Sequence, residues 1–563
     1  MRAQRISWIL TSTAIVILSG GGTANADFVF GEPAILDEPV NYTGPGYFNC
    51  ISTDGLELYF DRPIDGRITS ANWDIYVSTR AEPDDPWSVP VRVAATVNSA
   101  HADSSACLSR DELELYFAST RPNGFGGCDI WVATRVSTND EWEEAVSLGP
   151  SINTSDTESL PWIAPDGLEL YFHSNRPGGY GGRDIWVATR SSTSDPWGEP
   201  ENLGPVVNSS ADDACPCLSR DGLVLVFSGW DSVSGPWRPG GLGRSDMWMT
   251  RRKSTADPWE PPVNLGPDMN TSEYEVAPRI SPNGSVLYFT SSRPDNGIGT
   301  SIRDIWQAPI LPVVDFNGDG RVNGTEVVLL TQHWGESDSV CDIGPYAWGD
   351  GIVDEQDLFV LAEYLEKDVY DPTLIAHWAL DETEGMAAAD SVGGDDAMVM
   401  GNATWQPQGG KIGGALAFDG VDDFVLADSP VGLGNGPFSV CVWIKDGAPG
   451  QAIVSPQGGV GWLYTNPIDG SLMTDLSASA GAGTPLFSDV VVTDGQWHRV
   501  VLVWDGTSRI LCVDEEEAAR EPLSEVSAPA GKLIIGGSVS LEQGSLWSGL
   551  IDDVRIYNRV VKP

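Results

Sequence analysis

A five-fold repeat in the first half of the chain constrains the fold more than any other feature. The motif LELYF at 56–60 is followed by two identical and two degenerate copies, at 113–117, 168–172, 223–227 and 285–289. About eighteen residues after the start of each copy comes an Asp, followed by Ile or Met and then by an aromatic residue. These aspartates are Asp74, Asp129, Asp184, Asp246 and Asp304. Apolar alternation between Gly and Pro punctuation predicts short antiparallel strands. About four strands in each repeated unit predict propeller blades.

The two ends of the repeat region predict how the ring closes. Four units continue to a tryptophan and an NLGP-like turn, at Trp87, Trp142, Trp197 and Trp259. The fifth unit ends near Ile310 without that segment, whereas FGEP at 30–33 is similar to WGEP at 197–200. We therefore predict that the N-terminal segment completes the last blade, giving a five-bladed propeller over 27–310. Closure would remove the exposed sheet edges.

The repeat also resembles a known family. Its pattern, seen best at APDG (164–167) and SPNG (281–284) with the following strand and DIW, resembles TolB-type, WD-repeat-like propellers. The resemblance covers about 27–310. It implies a fold rather than an activity, because propellers host many activities.

Four units carry a carboxylate ten residues before the repeated strand, where the first unit has Gly46. These residues are Asp103, Glu158, Asp213 and Glu275. In the family's strand order this is the entry to the innermost strand. One hypothesis is a ring at one mouth of the channel that binds a cation or polar ligand. The other is one buried ion pair per blade, with Arg121, Arg176 and Arg293 as partners. Repetition favours ion pairs, since catalytic groups usually have unequal roles.

Residues 315–326 have the pattern of an EF-hand calcium loop. The predicted oxygen donors at positions 1, 3, 5, 7, 9 and 12 are Asp315, Asn317, Asp319, the Arg321 carbonyl, Asn323 and Glu326. Gly320 stands at position 6, where the loop turns sharply. We predict Ca²⁺ here; the alternative is a polar turn without metal.

A second, stretched loop follows. Residues 349–357 fit positions 4 to 12, and Asp342 would serve as position 1 across an insertion of four residues. Its predicted ligands are Asp342, Asp350, Asp354 and Asp357. Helical patterns follow both loops, at 327–334 and 358–365. The segment 311–370 therefore resembles a dockerin type I module, a small α-helical EF-hand pair. It departs from that family at Glu326, where dockerins usually have Asp, and in the second loop. The resemblance implies a cohesin-type partner; a spacer role is the alternative.

The last part of the chain carries an ordered set of motifs. They are HWALDE at 377–382, GALAFDGVDD at 414–423, QWHRV at 496–500, WDG at 504–506 and LIDDVRIYNR at 550–559. This set resembles a laminin-G-like, concanavalin-type jelly roll over 371–563. The resemblance implies two stacked antiparallel sheets, binding of glycans or proteins, and often a structural calcium. Asp381 and Asp552 are candidate metal ligands, with turn capping as the alternative. Trp462 and Tyr464 are candidate sugar-facing aromatics, with core packing as the alternative.

The N-terminus and the charge restrict location and partners. Arg2, Arg5, an apolar run at 6–18 and Ala24-Asn25-Ala26 predict a signal peptide over 1–26, cleaved after Ala26. We therefore expect a secreted or cell-surface protein without a membrane span. The formal net charge of −48 opposes binding to nucleic acid or anionic membranes and suits cations; the alternative is an ordinary acidic surface that keeps the protein in solution.

No catalytic motif was found, so no catalytic residue is predicted. Three hypotheses remain, in order. The first is a non-enzymatic, calcium-binding extracellular protein that binds glycans or proteins. The second is a secreted glycan hydrolase with a catalytic propeller, which would need two carboxylates in unequal environments. The third is a scaffold component attached through the dockerin-like segment, which would need an exposed helix face.

Overall fold

The chain is mainly β and forms two compact units in a computed structural model. The structure describes residues 28–41, 46–64, 72–83, 85–230, 238–294, 303–336, 340–369, 371, 373–392, 396–427, 437–457, 461–477, 484–514, 516–524, 526, 532–538 and 544–561. The propeller unit comprises Asp27–Val314 and Val327–Leu365, and the jelly-roll unit comprises Asp315–Glu326 and Glu366–Pro563. The domain boundaries at 310 and 370 stay predictions. So does the signal peptide, which lies outside the described residues.

Four blades of the propeller are four-stranded antiparallel sheets, as predicted. In chain order their strands are β3 (Tyr47–Ile51), β4 (Glu57–Pro63), β5 (Trp73–Thr79), β6 (Val91–Arg92); β7 (Asp103–Leu108), β8 (Glu114–Ser119), β9 (Asp129–Thr134), β10 (Val146–Ser147); β11 (Glu158–Ile163), β12 (Glu169–Ser174), β13 (Asp184–Thr189), β14 (Glu201–Asn202); and β15 (Asp212–Leu218), β16 (Val224–Trp230), β17 (Asp246–Arg251), β18 (Val263–Asn264). The repeated LELYF strand is second in each blade, and its phenylalanine is fully buried between blades.

The fifth blade joins both ends of the repeat region, which confirms the predicted ring closure. It consists of β19 (Glu275–Ile280), β20 (Val286–Ser291), β21 (Asp304–Pro312), β1 (Phe28–Phe30) and β2 (Ala34–Ile35). β2 pairs with Trp306 and Gln307 just as β14 pairs with Trp186 and Val187. The first strands of successive blades contact each other around the ring, from β3 to β19 and back to β3.

Three helices occur in the described part of the chain, α1 (Gly204–Val207), α2 (Gly324–Gln332) and α3 (Glu355–Tyr364). A short antiparallel pair, β22 (Arg321–Val322) and β23 (Lys367–Asp368), joins the middle of the first predicted calcium loop to the end of the predicted segment 311–370. None of the described helices has the length and apolar character needed to cross a membrane.

The C-terminal part is a jelly roll of two eight-stranded antiparallel sheets, as predicted. The first sheet contains β24 (Leu374–Trp378), β27 (Thr404–Gln406), β28 (Ala415–Asp419), β30 (Phe438–Asp446), β35 (Trp497–Trp504), β36 (Ser508–Val513), β37 (Glu516–Pro522) and β39 (Ser548–Tyr557). The second contains β25 (Ala387–Ala388), β26 (Ala397–Met400), β29 (Phe424–Ala427), β31 (Ala452–Pro456), β32 (Leu463–Thr465), β33 (Ser471–Thr474), β34 (Leu486–Val491) and β38 (Leu533–Ile535). Alternate residues of these strands form one buried core.

Candidate calcium and ligand sites

The four blade carboxylates lie at or next to the start of the innermost strands and are fully buried. Each pairs with an arginine of its own blade. The pairs are Asp103–Arg121 (2.6 Å), Glu158–Arg176 (3.2 Å), Asp213–Arg238 (2.5 Å) and Glu275–Arg293 (3.6 Å). The structure therefore has the repeated ion pairs of the second hypothesis, and the carboxylate charges are already compensated.

The arginines are themselves enclosed by aromatic rings. Each guanidinium lies over two rings, Phe117 and Trp131, Phe172 and Trp186, Phe227 and Trp248, or Phe289 and Trp306. Arg238 was missed by the sequence analysis because it lies 25 residues after Asp213, beyond an insertion. It nevertheless occupies the place that the other arginines occupy. Burial raises the pKa of Asp213 and Glu275, and the arginines oppose that shift.

A different buried carboxylate, Asp61, lies near Arg279. Asp61 accepts hydrogen bonds from Asn49 Nδ2 (2.5 Å) and from the Ser105 backbone N–H (2.9 Å). Arg279 is buried and donates to the carbonyls of Asn49 and Cys215 in two other blades. Burial is the main cause that raises the pKa of Asp61 to about 7. Asp61 was not among the predicted site residues.

The first calcium loop folds around the carboxylate of Asp315. Its Oδ1 accepts from the backbone N–H groups of Gly318 (2.8 Å) and Asp319 (3.1 Å), and its Oδ2 accepts from Gly320 (2.8 Å). Gly320 has a φ of +82°, a conformation that glycine adopts without steric cost. Farther along the loop, Glu326 Oε2 accepts from the N–H of Asn323 (2.7 Å). The curved backbone thus brings three of the six predicted ligands together, namely Asp315, Asp319 and Glu326.

One oxygen in this loop has no partner. Glu326 is fully buried, and its Oε1 accepts no hydrogen bond from any described residue. Carboxylate oxygens of Asp315, Asp319 and Glu326 lie within 4.8 Å of one another. Burial raises the pKa of Asp315 to about 6 and that of Glu326 to about 7. Such a crowded, desolvated oxygen set fits a hard divalent cation of the size and ligand preference of Ca²⁺.

The jelly roll holds the backbone of this loop. Arg559 Nη2 donates to the Asp315 carbonyl (2.6 Å), and the Tyr557 hydroxyl donates to the Gly318 carbonyl (2.8 Å). Arg499 Nη2 donates to the Asn317 carbonyl. All these residues belong to the jelly-roll unit. The shape of the loop is therefore maintained by side chains more than 180 residues away in sequence.

The second loop has a similar backbone pattern. Asp342 accepts from the N–H groups of Asp350 (2.9 Å) and Gly351 (2.7 Å), eight and nine residues farther on. In the first loop the corresponding donors are four and five residues farther on. The difference of four equals the predicted insertion. The tip of that insertion packs within the propeller unit, where Trp348 Nε1 donates to Asp221 Oδ2 (2.6 Å).

The two loops differ at position 12. Both oxygens of buried Asp357 are engaged: Oδ1 accepts from Ile343 (2.6 Å) and Gly344 (2.7 Å), and Oδ2 accepts from Asp354 (2.6 Å). Asp354 also caps α3 by accepting from the Gln356 N–H. The second loop therefore satisfies this carboxylate without a metal. Calcium in both loops stays a prediction.

The jelly-roll candidates Asp381 and Asp552 both bind the loop that precedes β28. Asp552 Oδ2 accepts from the N–H groups of Lys411 (2.6 Å) and Ile412 (2.8 Å), and Asp381 accepts from that of Gly414. The other Asp552 oxygen, Oδ1, is buried without a partner among the described residues. Burial raises the pKa of Asp552 to about 7, helped by the charges of Asp553 and Asp381.

The structure corrects or adds to other expectations in this unit. Trp462 is a core residue packed against Phe438 and does not face solvent. The hydroxyl of Tyr464 lies 3.0 Å from that of Ser455. Asp419, Asp422 and Asp423 form a second three-carboxylate group that the sequence analysis overlooked. The close spacing of three acids in the DGVDD run was the available signal.

Comparison with protein families bears on the C-terminal domain. Residues 419–563 match the family described as the concanavalin A-like lectin/glucanases superfamily. The C-terminal domain is thus concanavalin A-like by both sequence and structure. No curated protein matches the chain.

Solved structures give only distant similarities. Trypanosoma rangeli sialidase in complex with the inhibitor DANA has 13% identity and a TM-score of 0.40, over 96% of this chain and 97% of that one. Domain 4 of AbnA, a GH43 extracellular arabinanase from Geobacillus stearothermophilus, in complex with arabinotriose, has 18% identity and a TM-score of 0.24, over 34% and 95%. TolB from Acinetobacter baumannii has 14% identity and a TM-score of 0.28, over 47% and 54%. At such values these similarities do not bear on activity.

Proposed function

We propose that this chain is a secreted or cell-surface, calcium-binding protein that binds extracellular glycans without cleaving them. The jelly roll binds the glycan, and calcium in the first loop stabilises the jelly-roll unit. The proposal that the first loop binds calcium rests on one observation. The buried Glu326 Oε1 has no partner among the described residues, and Glu326 lies beside Asp315 and Asp319. A bound cation would supply the missing interaction.

Calcium is also proposed at three weaker positions. The second loop would use Asp342, Asp350, Asp354 and Asp357, although the Asp357 oxygens already accept backbone hydrogen bonds. The jelly roll would use Asp381 and Asp552, where Asp552 Oδ1 is buried and unpartnered. The group of Asp419, Asp422 and Asp423 is more exposed and has less need of a cation. We therefore expect the first loop to bind most tightly.

The glycan part rests on the concanavalin A-like domain at 419–563. The non-enzymatic part rests on the four blade carboxylates, each of which is already ion-paired with an arginine. Asp61 has the raised pKa that a general acid needs. Its neighbour Asp103, however, is already ion-paired with Arg121. Glycoside hydrolysis normally needs a second available carboxylate.

A glycan array on residues 27–563, with calcium and again with EGTA, tests this proposal. We expect binding to defined glycans that weakens in EGTA, and no release of reducing sugar when the bound glycans are offered as substrates. Release of reducing sugar would establish the hydrolase hypothesis instead. Absence of glycan binding in both buffers would contradict the proposal.

Attachment to a cohesin-type partner is a second candidate, favoured by one observation. Phe359 on α3 is 70% exposed and Val328 on α2 is 53% exposed, so each helix presents an apolar side chain that a partner could cover. A cohesin-type domain should then bind the wild type and lose affinity for Phe359→Ser. The exposed apolar residue Ile468→Ser in the jelly roll serves as the control. Equal binding by both variants, or no binding by the wild type, would refute this candidate.

A further inference from the structure

A pocket of about 310 Å³ lies on the first jelly-roll sheet. Its lining residues are Lys411, Trp443, Trp497, Arg499 and Asp514. Trp443 and Arg499 face each other across β30 and β35, and Trp497 stands two residues before Arg499. Because side chains alternate along a strand, these three lie on one face of the sheet. The volume is at the lower end of the range for small-ligand sites, enough for a short saccharide.

The pocket combines aromatic surface with positive charge. Trp443 and Trp497 are half-buried, which leaves part of each indole available to a sugar ring. The Lys411 ammonium lies 4.9 Å from the centre of the Trp443 ring, so the ring holds this exposed cation at the pocket. Lys411 and Arg499 outnumber the one acid, Asp514, in a chain whose formal net charge is −48.

The charges of the pocket are unequally compensated. Asp514 Oδ2 is 2.7 Å from His498 Nδ1, and its Oδ1 accepts from the Arg499 backbone N–H (2.9 Å). Arg499 forms no ion pair with a carboxylate in the described part of the chain, and its Nη1 is buried without a partner there. The buried guanidinium is therefore an uncompensated cation at the pocket wall, which favours an anionic ligand.

Two neighbouring elements fix these cations in place. The Arg499 side chain donates to the Asn317 carbonyl of the first calcium loop. The Lys411 backbone N–H donates to Asp552 Oδ2, one of the proposed jelly-roll metal ligands. The Arg499 guanidinium and the backbone of Lys411 are thus held before a ligand arrives, which lowers the entropic cost of binding.

We propose that this pocket binds a uronic acid unit of an acidic polysaccharide, with the sugar ring against Trp443 and Trp497 and its carboxylate beside Lys411. Arg499 provides favourable charge from the pocket wall, and Asp514 accepts a sugar hydroxyl. The assignment rests on the proposed glycan-binding function and names its site and ligand class.

Calorimetric titration of residues 27–563 in calcium buffer tests it. The probes are trisaccharides of galacturonic, glucuronic and mannuronic acid, each beside its uncharged methyl ester. We expect at least one acid to bind about tenfold more tightly than its ester, the size of one charged contact. Lys411→Gln should remove that preference, and Trp443→Leu should weaken both acid and ester. The matched controls are the exposed Lys532→Gln and the half-buried Trp405→Leu, which lie outside the pocket.

The outcomes separate this inference from the proposed function. Equal binding of acid and ester, or pocket variants that behave like the controls, would overturn the pocket assignment. Binding of neutral glycans on the array, with no uronic acid trisaccharide bound, would overturn the assignment and leave the proposed function standing. If no glycan of any class binds, both fail.

Discussion

The four blade carboxylates and the first calcium loop both contain fully buried acids, and they differ in what surrounds those acids. Each blade carboxylate has its own arginine, itself enclosed by aromatic rings. The loop gathers Asp315, Asp319 and Glu326 within 4.8 Å of one another and leaves Glu326 Oε1 without a partner. Both sets were candidate cation sites from sequence. The comparison teaches that the partner available to a buried carboxylate, and not its burial, decides whether a metal is needed.

The two calcium loops refine this comparison, because their backbones correspond and their position-12 residues do not. Asp357 is satisfied by three backbone N–H groups, whereas Glu326 has one satisfied oxygen and one orphan. The longer glutamate is the residue that EF-hands use as a bidentate ligand. We therefore expect the first loop to depend on calcium more than the second.

The largest effect is expected from breaking a blade ion pair. Asp103→Asn leaves the Arg121 guanidinium, whose side chain is only 12% exposed, without its counter-charge and should cost about 3 to 5 kcal/mol of unfolding free energy. Urea unfolding followed by tryptophan fluorescence measures this, with exposed Asp140→Asn as the control. Calcium stoichiometry should be unchanged. A loss of bound calcium in Asp103→Asn would show that the blade carboxylates bind metal after all.

Asp61 provides a buried acid of a third kind, with hydrogen bonds but no ion pair among the described residues. Its pKa in the folded chain is about 7, against an ordinary value of 3.8, so the folded state binds the extra proton between those pH values. Its contribution is fully present below about pH 4 and is lost as pH rises through 7, by as much as about 4 kcal/mol. Asp61→Asn should remove this slope from the unfolding free energy measured between pH 4 and 8. If the unfolding free energies of wild type and variant depended on pH in the same way, the raised pKa of Asp61 would be contradicted.

Calcium should stabilise the jelly-roll unit through Glu326. At a calcium concentration 100 times Kd, the gain in unfolding free energy is about 2.7 kcal/mol, and Glu326→Gln should lose it. In EGTA the same variant should be as stable as the wild type or more stable, because a buried, unpartnered carboxylate has been removed. Differential scanning calorimetry in both buffers checks these signs, with exposed Glu384→Gln as the control. A variant that still gains stability from calcium as the wild type does would count against the first loop.

The smallest change in unfolding free energy is expected in the second loop. In EGTA its position-12 variant should be less stable than the wild type, whereas Glu326→Gln should not. Asp357→Asn places an amide N–H against backbone donors and should cost about 1.5 kcal/mol without calcium. Asp354→Asn is the matched control in the same loop, since Asn caps a helix about as well as Asp. If Asp357→Asn were harmless in EGTA and harmful only in calcium, the two loops would be alike.

Local patterns in the sequence predicted much of the fold. The repeated strand, the missing outer strand of the fifth unit and FGEP at 30–33 were enough to predict five blades and their closure, because neighbouring strands pair in chain order. The spacing of Asp342 from Asp350 likewise revealed the insertion. Contacts between distant residues were not predictable in this way. The hydrogen bond from Arg499 to the Asn317 carbonyl and the ion pair of Arg238 with Asp213 both depend on the tertiary packing of segments that are separate in sequence. Trp462 was ambiguous because an aromatic in a strand suits core and surface equally well.

We infer that Glu326 completes a calcium site in the first loop. Calorimetric titration of calcium into residues 27–563, for wild type and Glu326→Gln, tests it most directly. We expect the variant to lose the tightest site and keep the weaker ones, with unchanged far-ultraviolet circular dichroism. The same number of sites with the same affinities in both proteins would contradict it.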